Sequence, residues 1–136
     1  MISRRSVLYT LAIGTLLGSN APVFARRRRA GPMTLLDPDG DGTIDLAEAR
    51  KAASALFDKL DKDRDGTLDR RELSGRLSAK ELAAADPDHD GTLTKDEYLA
   101  VVEQRFRAAN PDNDATIDAT ELKTKAGRSL LRLLLQ

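Results

Sequence analysis

Apolar residues along this chain form short blocks that alternate with acid-rich stretches of twelve residues. Two of these blocks, residues 49–60 and 98–109, contain alanine, leucine or valine and no glycine or proline, so each predicts one continuous helix. The block between them is interrupted by Gly75, and Ser78 followed three residues later by Glu81 is typical of a new helix start. The pattern therefore predicts an all-α fold in which the chain turns back near Gly75.

The acid-rich stretches are four copies of one twelve-residue pattern, and they begin 24, 25 and 24 residues apart. Acidic or amide residues occupy positions 1, 3 and 5, an apolar residue occupies position 8, and glutamate occupies position 12. Glycine occupies position 6 in the first three copies. This is the calcium-loop pattern of the EF-hand. Loops one to four are DPDGDGTIDLAE (37–48), DKDRDGTLDRRE (61–72), DPDHDGTLTKDE (86–97) and NPDNDATIDATE (110–121).

The spacing suits a hard cation, which takes six to eight oxygen ligands at about 2.3–2.6 Å. Side chains at positions 1, 3 and 5 point inward, the carbonyl of position 7 adds an oxygen, position 9 binds directly or through water, and the glutamate supplies both carboxylate oxygens. The candidate metal ligands are Asp37, Asp39, Asp41, Thr43, Asp45 and Glu48; Asp61, Asp63, Asp65, Thr67, Asp69 and Glu72; Asp86, Asp88, Asp90, Thr92, Thr94 and Glu97; and Asn110, Asp112, Asp114, Thr116, Asp118 and Glu121.

Loop four departs from the pattern at two positions. Asn110 stands where the other loops have aspartate, and Ala115 stands where they have glycine. Because left-handed backbone costs alanine about 1–2 kcal/mol, we expect roughly tenfold weaker binding there. The sequence thus predicts three to four sites. Lys62 and His89 occupy loop positions that we expect to face solvent.

The short gaps force neighbouring loops to share helices in a compact bundle. If both long helices are continuous and the chain reverses near Gly75, loop two pairs with loop three and loop one with loop four, through short strands at position 8. Sequential pairing of loops one and two would require the first long helix to break. The apolar segment 129–136 predicts a last helix that caps the core, with a dimer interface as the alternative. The predicted core is Leu56, Phe57, Leu60, Leu73, Leu77, Leu82, Leu99, Val102 and Phe106.

Residues 1–25 have the features of an export signal, with a basic start, an apolar run too short to span a bilayer comfortably, and small-residue spacing before Ala25. An uncleaved anchor is the alternative. The stretch SRRSVL resembles a twin-arginine signal, and the arginines of 26–29 favour that route over the ordinary secretory one. We expect a periplasmic protein with a basic disordered segment at 26–33 and a metal-binding domain at 34–136.

The part of the chain after the arginines is acidic, although the whole sequence has a formal net charge of +0. Residues 1–29 carry six arginines and no acid, which leaves 16 basic against 22 acidic residues. The absence of cysteine excludes disulfides and thiolate metal sites. The sequence offers no nucleophile paired with a base, so we do not expect an enzyme. We also expect no nucleic-acid partner.

The loops and their short gaps resemble the lanmodulins, periplasmic lanthanide-binding EF-hand proteins of methylotrophic bacteria. The likeness runs from about Leu36 to the C-terminus and includes proline at loop position 2, as Pro38, Pro87 and Pro111. It implies selective binding of trivalent rare-earth ions over calcium and a disordered chain that folds on binding. It also implies lanthanide uptake or handling, with a periplasmic lanthanide-dependent alcohol dehydrogenase or an uptake system as partner. The segments that carry it are DPDGDGTIDL, FDKLDKDRDGTLD, DHDGTLTKDEYLA and AANPDNDATIDATEL.

The carboxylates give this implication independent support. Attraction grows with the product of charges, so added carboxylates favour a trivalent ion over calcium of similar size. Loops one and two have five carboxylates each at ligand positions, including aspartate at position 9. Loop three has Thr94 at position 9 and therefore four. We therefore expect selectivity to be strongest in loops one and two, with calcium as the weaker or alternative ligand.

Two other functions remain open from the residues alone. An exported calcium buffer or sensor would use the same fold, and an interaction module built on calcium repeats would present a fixed surface to a protein partner. We expect a monomer with no membrane span in the mature chain, and a metal-dependent dimer is the alternative.

Overall fold

The computed structural model describes residues 30–136, which form a helical bundle with two small strand pairs. The predicted export signal and the arginines at 26–29 lie outside the described residues. The helices are α1 (Pro32–Leu36), α2 (Leu46–Leu60), α3 (Ala79–Ala85), α4 (Lys95–Ala109) and α5 (Lys125–Leu134), with a 3-10 helix at Glu121–Lys123. The strands are β1 (Ile44–Asp45), β2 (Thr67–Leu68), β3 (Leu93–Thr94) and β4 (Thr116–Ile117). The domain boundary expected at residue 34 falls inside α1.

Both long helices that the sequence predicts are present, as α2 and α4, each 15 residues long. They begin three residues earlier than the apolar blocks, inside loops one and three. In α2, the Asp45 side chain accepts the amide of Glu48, and the Glu48 carboxylate accepts the amide of Asp45. Thr94 and Glu97 make the same reciprocal pair at the start of α4. Loop positions 9 and 12 therefore also cap the helix that leaves the loop.

The reversal between loops two and three is confirmed. Gly75 has a φ of 77°, a left-handed conformation that glycine adopts without a Cβ clash. Ser78 then caps α3, and its side chain and that of Glu81 form the predicted capping box. The chain from Leu73 to Leu77 is a series of turns, so the exit from loop two is not a regular helix.

The predicted loop pairing is also confirmed. Strand β1 pairs antiparallel with β4, placing Ile44 opposite Ile117, and β2 pairs with β3, placing Leu68 opposite Leu93. All four position-8 side chains are fully buried. Sequential pairing of loops one and two is therefore wrong, because α2 continues unbroken from one loop to the other.

Most of the predicted core is buried, with two positions only half-buried. Leu77 and Leu99 pack at the edge of the core rather than inside it. The small residues Ala49 and Ala53 of α2 are fully buried, and their burial was not predicted. The last helix, α5, packs against α4 and buries Leu130, Leu133 and Leu134, as the apolar tail predicts.

Three side chains from outside α5 hold its backbone in place. The Tyr98 hydroxyl donates to the carbonyl of Leu133 at 2.9 Å, and Arg105 Nη1 donates to the carbonyl of Ser129 at 2.7 Å. Arg76 Nη1 donates to the carbonyl of Leu135, just after α5, at 2.8 Å. Burial raises the pKa of Tyr98 to about 12, so the phenol stays protonated and remains a donor.

Within residues 30–136, no helix has the length and apolar character needed to cross a bilayer.

Candidate metal centre

Three of the four loops gather acidic side chains around a common centre. In each of these loops, one carboxylate oxygen from each of three residues lies within 4.8 Å of the others. Loop four has no such acidic triplet in the described chain, since its first position is an asparagine. The groups are Asp37, Asp39 and Glu48; Asp61, Asp63 and Glu72; and Asp86, Asp88 and Asp90.

Backbone amides orient the carboxylate at position 1. Asp37 accepts the amides of Gly40 and Gly42 at 2.6 and 2.9 Å, and Asp86 accepts the amide of Gly91 at 2.8 Å. These contacts require the loop to bend tightly, and the position-6 glycines of loops one to three have φ values of 85° to 89°. The expected need for left-handed backbone at position 6 is therefore confirmed.

Position 4 is left-handed as well, which the sequence analysis did not predict. Gly40 fills it in loop one, whereas Arg64, His89 and Asn113 adopt φ values of 58° to 61° in the other loops. Glycine and asparagine tolerate this conformation and signal it in two loops, but arginine and histidine give no such signal. The side chains of His89 and Lys62 are exposed, as expected.

The threonine at position 7 fixes the aspartate at position 5. In loop one, the amide and hydroxyl of Thr43 both donate to Oδ1 of Asp41, at 2.8 and 2.7 Å. The other three loops repeat both contacts at 2.8–3.0 Å. One oxygen of each aspartate is thus held by the loop, which leaves Oδ2 for an ion. The loop pattern predicts only the carbonyl of this residue as a ligand, although threonine recurs at position 7 in all four loops.

Positions 9 and 12 are linked in every loop. The amide of position 9 donates to Oε2 of the glutamate at 2.8–3.2 Å. In loop three, the hydroxyl of Thr94 also donates to Oε2 of Glu97 at 2.9 Å. Position 9 of loop three is therefore a neutral group already committed to the glutamate, which agrees with its smaller carboxylate count.

Close packing of the acidic side chains raises the pKa of some loop carboxylates. The hydrogen bond with Asp86 raises the pKa of Asp88, and slight burial and the charge of Asp90 add to this effect. Slight burial raises the pKa of Glu48, with a further contribution from the loop-one aspartates. A cation at the centre of either loop would relieve this repulsion.

Two buried oxygens indicate where such a cation fits. Oδ1 of Asp61 and Oδ1 of Asn110 are shielded from water and have no hydrogen-bond partner among the described residues. Buried oxygens without a partner are costly, and both of these belong to position 1 of a loop. A metal ion bound at position 1 would give each of these oxygens the partner that it lacks.

Comparison with known proteins agrees with this geometry. Residues 54–78 and 79–102 match the EF hand family. The fold is an EF-hand fold. The two matched segments include loops two and three, and the chain is a metal-binding protein rather than an enzyme.

One curated relative supports the likeness to the lanmodulins. The EF-hand chain is 74% identical to lanmodulin of Methylorubrum extorquens over 42 residues. That match covers 31% of this chain and 32% of the relative, so the chain spans about a third of the curated relative that it matches. The resemblance is confirmed over this part of the chain.

Loop four keeps the contacts of positions 5, 7, 9 and 12 despite its altered residues. Asp114 accepts the amide and hydroxyl of Thr116, and Glu121 accepts the amide of Asp118. Ala115 is held at a φ of 73°, where alanine is strained. All six candidate ligands of loop four therefore lie in the loop, but the backbone that carries them is strained.

Replacing Ala115 with glycine is expected to tighten metal binding at loop four by roughly tenfold, since it removes a strain of about 1–2 kcal/mol. Isothermal titration calorimetry of both proteins checks this at the weakest site. The matched control is Gly91→Ala in loop three, where φ is 85° and an added Cβ would meet no atom within 4 Å. It should weaken loop three by a similar factor. An unchanged weakest site in Ala115→Gly would contradict the strain argument.

Proposed function

We propose that this protein binds trivalent lanthanide ions in its EF-hand loops in preference to calcium, and that it folds on binding. The observation that carries the proposal is the carboxylate at position 9. Asp45, Asp69 and Asp118 add a negative charge at a position where many calcium loops use water. In each case the aspartate is fixed beside the glutamate of the same loop by backbone hydrogen bonds.

The physical reason is the product of charges. Two unit charges 4 Å apart in water attract by about 1 kcal/mol. Each added carboxylate therefore stabilises a trivalent ion by about 1 kcal/mol more than a divalent ion of the same size, or roughly fivefold in affinity. Four or five carboxylates in a loop accumulate this preference, and the likeness to lanmodulin supports the same choice of ion.

Coupling to folding follows from how the loops are built into the bundle. Helices α2 and α4 begin inside loops one and three, and the strands join loops in pairs. The acidic ligands repel one another without a cation, so an ion that neutralises them supplies free energy to the helices and strands as well. Binding energy then becomes folding energy.

The cellular role forms part of the same proposal. The export signal predicted at 1–25 and the likeness to lanmodulin support a periplasmic protein that serves rare-earth uptake or handling. A lanthanide-dependent alcohol dehydrogenase or an uptake system of a methylotroph is the proposed partner. The alternative is an exported calcium buffer or sensor with the same fold.

A titration with buffered free metal tests the proposal. Helical circular dichroism is followed separately with lanthanum and with calcium. We expect helix formation with lanthanum at free concentrations many decades below those needed with calcium. Equal midpoints, or a helical signal already complete in chelator, would contradict the proposal and leave the calcium protein.

A further inference from the structure

Loop two holds its glutamate differently from the other loops. Glu72 accepts two backbone amides, with Oε1 bound to the amide of Lys62 at 2.8 Å and Oε2 bound to the amide of Asp69 at 3.2 Å. Lys62 is position 2 and Glu72 is position 12 of the same loop. This hydrogen bond therefore ties the start of the loop to its end.

The other loops lack a donor at this position. Position 2 is proline in loops one, three and four, and proline has no backbone N–H. In the described residues, the glutamates of these loops accept backbone amides from position 9 and make no bond to position 2. The residue type at position 2 thus decides whether a backbone hydrogen bond can hold the glutamate at the start of the loop.

We propose that the backbone amide of Lys62 is a positioning group that presets Glu72 over loop two. A carboxylate oxygen has two lone pairs, so Oε1 can keep the amide and still contact an ion. Part of the free energy needed to bring the glutamate to the ion is then supplied by the protein rather than by the ion. In the proline loops the ion must supply it all.

This arrangement has a specific consequence for affinity. The cost of closing the loop does not depend on the charge of the ion, so the amide strengthens binding of divalent and trivalent ions by the same factor. The inference rests on the proposed function only for its choice of ion. The amide leaves the preference for lanthanides over calcium unchanged. A hydrogen bond to a carboxylate corresponds to roughly a tenfold change in affinity.

The substitution that tests this must separate the amide from the side-chain charge. Lys62→Ala removes the exposed ammonium and keeps the amide, so it serves as the reference. Lys62→Pro removes both, and three other loops already accommodate proline at this position. Proline also stiffens the unfolded chain, which by itself favours folding and binding. Weaker binding in the proline variant than in the alanine variant therefore reports the lost amide.

The measurement is a nuclear magnetic resonance titration of the full ¹⁵N-labelled chain in chelator-buffered lanthanum and, separately, in buffered calcium. The amide of Gly66, which donates to Asp61 at 3.1 Å, reports loop two, and the amide of Gly42 reports loop one in the other loop pair. We expect the Gly66 midpoint of Lys62→Pro to lie roughly tenfold above that of Lys62→Ala with both ions, with a smaller shift of the Gly42 midpoint.

Equal midpoints at Gly66, or a lower one in the proline variant, would overturn the role of the amide. The comparison is made between variants within each ion, so it stands whichever ion the protein prefers. Equal wild-type midpoints for lanthanum and calcium would instead overturn the proposed function and leave the tenfold difference between the variants in place.

Discussion

Asp45→Asn is expected to weaken lanthanide binding at loop one by roughly 150-fold and calcium binding by roughly thirtyfold. The substitution removes one negative charge from position 9. A trivalent ion loses three units of charge product and a divalent ion loses two, each worth about 1 kcal/mol at 4 Å in water. The ratio of the two affinities should therefore fall by roughly fivefold.

Asparagine leaves the local structure in place. Asp45 caps α2 by accepting the amide of Glu48 at 2.7 Å, and asparagine is an equally good cap. Competition titrations with each metal, read at the Gly42 amide, give the two affinities at loop one. Asp96→Asn is the matched control, because Asp96 is an exposed acid at position 11 of loop three and is not a predicted ligand. Equal losses for both ions in Asp45→Asn would show that position 9 does not discriminate charge.

Gly127→Ala is expected to destabilise the metal-loaded protein by about 3 kcal/mol. A Cβ at Gly127 would lie 2.2 Å from the carbonyl oxygen of Glu121 and 2.5 Å from the Cα of Leu122. Both are backbone atoms, so no side-chain rotation relieves the clash. The start of α5 and the 3-10 helix must move apart, which displaces Glu121, the predicted closing ligand of loop four.

Urea unfolding in saturating lanthanum measures this loss. Gly31→Ala is the control, since Gly31 has a φ of −67° and an added Cβ would meet no atom within 4 Å. It should leave the free energy of unfolding nearly unchanged. A Gly127→Ala protein as stable as the control would contradict the close packing of α5 on the 3-10 helix.

The arrangement of the loops could be predicted from the sequence because two local signals agree. Unbroken apolar blocks specify α2 and α4, and Gly75 with Ser78 specifies the reversal between them. Once the chain reverses there, antiparallel helices bring the remaining loops together at the other end. The position-8 residues then pair because each is apolar and becomes buried where its two loops meet.

Contacts between distant segments could not be predicted in this way. The bonds from Tyr98 to the carbonyl of Leu133 and from Arg105 to the carbonyl of Ser129 depend on how α5 lies on the bundle. Neither leaves a periodic pattern in the sequence. The buried alanines of α2 were missed because alanine is also a good residue for an exposed helix face.

Loop two shows the limit of counting carboxylates. It has five, as loop one has, but Lys62, Arg64, Arg70 and Arg71 lie within the same twelve residues, and loop one has no basic residue. These cations lower the negative potential felt by an ion, and they do so more for a trivalent ion than for a divalent one. Loop one is therefore the stronger candidate for high charge selectivity, which revises the expectation that the two loops are alike.

The most direct test of the central claim is competition between the two metals. The protein is dialysed against lanthanum held slightly above four equivalents, together with calcium in hundredfold excess, and the metals bound per chain are counted by mass spectrometry. We expect three to four lanthanum ions per chain and almost no calcium. A protein that retains mainly calcium would contradict it and identify the loops as ordinary calcium sites.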